Sequence, residues 1–92
     1  MGNVFACSLC HKGLIGGGLY LEAEGVTFRT NKLTVDKKLQ NLNLPVKEIK
    51  EITWEQVLFP IATFHMENGE SYKLMIFQKA RFCKCYQEIY QK

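Results

Sequence analysis

Several classes of protein are excluded by what this chain lacks. No apolar run in its 92 residues approaches the ~20 that a membrane-spanning helix requires. The amino terminus carries no basic segment followed by an apolar core, so no secretory signal is legible. The myristoylation pattern that Met1-Gly2 would begin fails at Ala6, where Ser or Thr is needed. The sequence therefore reads as cytoplasmic. A strong excess of either charge is also lacking, with a net of only +3 and the lysines and arginines spread along the chain. A dedicated nucleic-acid binder would concentrate them on one segment or face, so no nucleic acid is expected as a partner. No nucleophile, base and orienting group are grouped in sequence. His11 and His65 stand apart, and the acidic residues are scattered as solvated charges. These absences point to a protein that is not an enzyme and needs no cofactor. Repeats and low-complexity segments are also missing, which leaves residues 1–92 as a single domain.

Short stretches with a period of two are what the chain does contain. In Gly16-Gly17-Gly18-Leu19-Tyr20-Leu21-Glu22-Ala23-Glu24-Gly25-Val26-Thr27-Phe28, Leu19 and Leu21 alternate with Tyr20 and Glu22, and Val26 and Phe28 with Thr27 and Arg29. That is a hairpin of two half-buried strands, with Gly25 expected to supply a positive φ at its turn. A first strand is expected over Asn3 to Leu9, a Gly-rich loop over His11 to Gly18, and a strand or extended connection over Asn31 to Leu39. Extended chain continues to Pro45. Further strands are expected towards Trp54, over Phe59 to Met66 and over Ser71 to Phe77, the last two joined at Asn68-Gly69 by a type I′ turn. From about Gln78 the period changes. Phe82, Cys83, Tyr86, Ile89 and Tyr90 form one stripe of an amphipathic helix over about 78–91. The expected fold is mainly β, with strands over about 3–77 and one carboxy-terminal helix as a lid on the core.

Those residues carry a likeness. The run Gly16 to Leu21 followed by Gly25-Val26-Thr27-Phe28 resembles the opening of GRAM domains, in the pleckstrin-homology-like superfold. The likeness continues through Leu42-Asn43-Leu44-Pro45-Val46-Lys47-Glu48-Ile49-Lys50-Glu51-Ile52, then Leu58-Phe59-Pro60, the Asn68-Gly69 turn and the final helix. It implies a small stand-alone GRAM domain of bacterial type, with a bent β-barrel or sandwich of about seven strands capped by the helix. It further implies a binding module, peripheral at a membrane, for anionic lipid or for a protein partner. Two features depart from the pattern: Gly18 stands where a basic residue is frequent, and the hairpin turn Glu22-Ala23-Glu24 is acidic.

Two candidate ligand sites follow. In the first, Leu14 and Ile15 sit on the Gly-rich loop with Lys12, a segment suited to a lipid interface or a partner. In the second, Lys79, Arg81 and Lys84 open the last helix, where unpaired N–H groups and the helix dipole already favour an anion. The open edges of such a sheet also suit strand addition, including pairing with a second copy of the chain. The cysteines give the metal alternative. Cys7-Ser8-Leu9-Cys10-His11 has the literal C-x-x-C-H pattern of haem attachment, but haem attachment needs export. As a structural zinc site, Cys7, Cys10 and His11 have suitable spacing. Cys83 and Cys85 would point about 200° apart on a helix and do not chelate together. Packed thiols are the preferred reading.

Overall fold

The computed structural model describes residues 4–31 and 37–90. It contains seven strands: β1 (Val4–Cys10), β2 (Leu14–Glu22), β3 (Gly25–Arg29), β4 (Asn41–Pro45), β5 (Ile49–Gln56), β6 (Pro60–Met66) and β7 (Ser71–Ile76). A single helical turn, α1 (Lys37–Gln40), precedes β4, a 3-10 turn (Val46–Glu48) leads into β5, and α2 (Lys79–Tyr90) ends the described chain. All pairings are antiparallel, in one sheet of order β4-β3-β2-β1-β7-β6-β5. The mainly β architecture with one long carboxy-terminal helix is as expected. Closure into a barrel is not. The outer strands β4 and β5 do not pair with each other. Instead the 3-10 turn crosses the corner, with Val46 N–H donating to the Glu24 carbonyl and Glu67 N–H to that of Glu48.

Alternation decides which face each strand buries. Phe5, Cys7 and Leu9 of β1 point inward, as do Val26 and Phe28 of β3, Ala62 and Phe64 of β6, and Leu74 and Ile76 of β7. They share one apolar core with Phe82 and Tyr86 of α2. The expected strand at Asn31 to Leu39 falls mostly on residues 32–36, outside the described residues. Its far end is helical, because α1 buries Leu39 against the core.

The Gly-rich loop expected over His11 to Gly18 is shorter, and most of that segment is strand. Only His11–Gly13 turn, with Lys12 at φ 54° and Gly13 at φ 121°. Gly16, Gly17 and Gly18 lie in β2 opposite Ser8, Cys7 and Ala6. Gly17 is needed for close approach: a Cβ there would lie 2.3 Å from the Arg29 carbonyl oxygen and 2.9 Å from the Phe28 ring. Gly25 likewise serves spacing and not a positive φ. The β2–β3 turn is made by Ala23 and Glu24, neither left-handed, whereas a Cβ on Gly25 would meet the Leu44 carbonyl at 2.3 Å. The Asn68-Gly69 turn is present but is not type I′. Gly69 alone is left-handed (φ 92°), Gly69 N–H donates to the Met66 carbonyl, and Met66 N–H donates to that of Glu70. This is the three-residue loop in which a right-handed turn is followed by one glycine.

The stripe read from sequence packs as expected. Phe82, 1% exposed, meets the rings of Phe5, Trp54, Phe64 and Tyr86 at 5.5–6.3 Å between centroids. At the last turn Tyr90 rests its hydroxyl against the carbonyls of Glu22 and Gly25, pinning α2 to the β2–β3 turn. Burial, then the neighbouring Tyr86, pushes the Tyr90 phenol up to about 12 from 10. The folded state thus holds this proton more tightly than the unfolded chain does. The associated stability is complete below pH 10 and is lost as pH rises towards 12. Tyr90→Phe is expected to lower unfolding free energy by about 1 kcal/mol at neutral pH. In urea titrations the gap between the two proteins should narrow across the alkaline window.

Candidate functional site

The strand register separates the two sites expected from sequence. Leu9 pairs with Leu74 and Cys7 with Ile76, so the β1–β2 turn lies beside the start of β7. The start of α2 follows the end of β7, at the opposite end of the sheet. At the first site Lys12 is exposed in the turn, Leu14 is 56% exposed at the start of β2, and Ile15 is buried in the core. One apolar side chain faces solvent there, not two.

At the second site the cations are held by aromatic rings. Lys79 Nζ lies 4.9 Å above the centroid of Trp54, and the Arg81 guanidinium lies 4.3 Å above Phe5. Arg81 also donates from Nη1 to Gln78 Oε1 at 2.8 Å and to the Val4 carbonyl at 3.4 Å. Lys84 is exposed on the helix face away from the core. The first turn of α2 has no acidic residue. Two of the three cations therefore sit at fixed positions over rings, an attraction of about 0.5–1 kcal/mol each at exposed sites. That offsets part of the repulsion between cations and the positive end of the helix dipole.

Beside them is a feature that strand periodicity does not flag. The β5–β6 connection is Val57-Leu58-Phe59, three consecutive apolar residues, all exposed. Leu58 is 84% exposed and Val57 68%. Phe59 packs edge-on against Phe77 at 5.1 Å, and Phe77, exposed as well, is two residues before Lys79. The sequence signal is an apolar run directly before Pro60. Apolar runs next to strands are ordinarily core, which conceals this one.

Three hollows lie elsewhere on the surface, the first of them acidic. A hollow of about 540 Å³ lies over the β2–β3 turn, lined in part by Glu22, Glu24, Thr27 and Asn43. A second, about 370 Å³, runs between α2 and the edge of β5 that is unpaired among the described residues, with Ile49, Ile52, Trp54, Phe82, Cys83 and Tyr86 among its walls. A third, about 520 Å³, lies over the three glycines of β2, with Tyr20 and Arg29 at its side. Arg29 stacks on Tyr20 and reaches Glu22 at 3.9 Å.

The cysteine positions follow from strand geometry. Residues three apart on a strand face opposite sides. Cys7 accordingly points into the core and Cys10 does not, while His11 is exposed in the turn. Burial, with Cys10 as the lesser cause, pushes the Cys7 thiol up to about 12 from 9, so it is not a reactive thiolate at neutral pH. Among the described residues no group of three or more His, Cys, Asp or Glu side chains is placed to hold a metal ion. His65 is half-buried on β6, its Nε2 2.8 Å from Thr53 Oγ1 on β5. No helix among the described residues is long and apolar enough to cross a membrane.

No family model and no curated protein matches this chain. Among solved structures it is similar to the C-terminal domain of an unknown protein from Leishmania infantum. That likeness has a TM-score of 0.79 at 14% identity, covering 100% of this chain and 84% of the other. It is a likeness of fold alone.

Proposed function

We propose that this chain is a non-enzymatic binding module of the GRAM type, pleckstrin-homology-like in fold, whose ligand is an anionic lipid surface. The sheet order, with α2 laid across the open side, supports the fold reading. The observation that carries the functional reading is the start of α2. There Lys79 and Arg81 are held by Trp54 and Phe5, Lys84 is exposed nearby, and no acidic residue opposes them in the first turn. Juxtaposed cations on a rigid support attract a negatively charged membrane with about 1 kcal/mol each, an attraction that salt screens.

Co-sedimentation with neutral and anionic vesicles, at low and high salt, tests this. Binding is expected only to the anionic vesicles and should weaken as salt rises. The Lys79→Ala/Lys84→Ala double variant should lose most of it, while Arg81 is spared because it also ties α2 to β1. Salt-independent binding, or a double variant that binds as the parent does, would sink the reading.

A second reading rests on a different observation, the hollow between the β5 edge and α2. An unpaired edge strand beside apolar side chains suits an extended segment of a protein partner, or a second copy of the chain, added as a further strand. Such binding would be insensitive to salt and blocked by changes at Ile52 or Cys83, not at Lys79.

A further inference from the structure

We propose that the β5–β6 loop is a membrane-insertion tip, with Leu58 and its neighbours Val57 and Phe59 entering the hydrocarbon boundary of an anionic bilayer. The inference deepens the lipid reading and rests on it. Four facts about this end of the molecule combine. The three apolar residues are consecutive, sit on the turn between β5 and β6, and are all exposed. Leu58, the middle one, is the most exposed of the large apolar side chains among the described residues. The Phe59–Phe77 pair forms an apolar base beneath the tip. Lys79 follows Phe77 by two residues and is held over Trp54 of the same β5 strand that leads into the loop.

The chemistry selects a membrane over a protein. A tip of four exposed side chains falls well short of the roughly 800 Å² that each partner gives to a stable protein interface. A bilayer needs no matching pocket. It takes up apolar side chains at the acyl boundary, aromatic rings near the headgroups and cations at the phosphates, in that order of depth. Leu58, the Phe59–Phe77 pair and Lys79 present those three chemistries at one end of the fold. The acidic β2–β3 turn closes the same end of the sheet but sits at the far end of α2 from Lys79. It lies at Tyr90, and twelve helical residues span about 18 Å.

The experiment compares the parent chain, Leu58→Glu and the Lys79→Ala/Lys84→Ala variant on vesicles of phosphatidylcholine with and without phosphatidylserine, at low and high salt. Leu58 is 84% exposed and belongs to no core cluster, so Leu58→Glu should keep the parent's thermal midpoint. It should lower partition to the anionic vesicles by about tenfold or more at both salt concentrations, because apolar insertion is not screened. The lysine variant should lose binding chiefly at low salt. A Leu58→Trp variant should show a blue-shifted spectrum on anionic vesicles. Brominated acyl chains should quench it beyond the parent, whose Trp54 is half-buried under Lys79. Anionic binding that Leu58→Glu leaves intact, with no added quenching in the Leu58→Trp variant, would overturn the insertion tip and leave the lipid reading standing. No binding by the parent to either vesicle would overturn both.

Discussion

Phe82→Ala is expected to remove about 3–5 kcal/mol of stability, a large share of the ~5–15 kcal/mol that a domain of this size possesses. Phe82 touches both halves of the sheet. Its ring meets Phe5 on β1, Trp54 on β5 and Phe64 on β6, together with Tyr86 on its own helix. Alanine would leave a cavity between surfaces that β-sheet hydrogen bonds hold apart, so collapse to fill it is restricted. Urea unfolding followed by Trp54 fluorescence measures the loss. Phe77→Ala, the same change at an exposed ring, should cost under about 1 kcal/mol and provides the comparison. Equal losses at the two positions would refute the assignment of Phe82 as the keystone of the lid.

The second large effect belongs to side chains that are absent. Gly17→Ala and Gly25→Ala should each destabilise by about 1–3 kcal/mol or more, because the new methyl meets backbone and not a movable side-chain tip. At Gly17 the obstruction is the Arg29 carbonyl with the Phe28 ring, and at Gly25 it is the Leu44 carbonyl with Pro45 Cα. Relief would require β3 to move away from β2 in the first case and β4 from β3 in the second. Gly16→Ala is the contrast, one residue away in the same strand with nothing within 4 Å of a Cβ. There the methyl only reduces the freedom of the unfolded chain, and a gain of about 0.4–1 kcal/mol is expected. The order of the three urea midpoints tests the account. A Gly16 variant weaker than the Gly17 variant would contradict it.

Much of this fold is legible in the sequence, and the illegible parts share a cause. The helix stripe from Phe82 to Tyr90 and the strands carrying Val26, Phe28, Leu74 and Ile76 have side chains that record which way they face. Glycines record nothing. Gly16-Gly17-Gly18 resembles a flexible loop because the pairing with Ser8, Cys7 and Ala6 and the overlying Phe28 ring are long-range facts. The turns at Gly25 and Gly69 are visible as turns, but a turn's geometry depends on loop length and on the register of both strands. The pair Cys7 and Cys10 has the spacing of metal ligands, and strand geometry alone sends them to opposite sides. In the candidate site the basic residues are evident from charge. The Val57–Phe59 tip is hidden, because an apolar residue is core or surface only by virtue of what packs on it.

One further consequence concerns the order in which the fold is assembled. β1 is central in the sheet, flanked by β2 from its own neighbourhood and by β7 from the far part of the chain. β2, β3 and β4 can pair on β1 as a meander of neighbouring segments, but its other flank stays open until Leu74 and Ile76 arrive. The Phe82 ring that spans the two halves comes later still. During synthesis, then, a four-stranded half with one bare central edge precedes the finished core, and a ribosome must pass α2 before that edge and the aromatic core are both covered. Such a chain completes its core late, and its most aggregation-prone moment is expected in the interval before β7 docks.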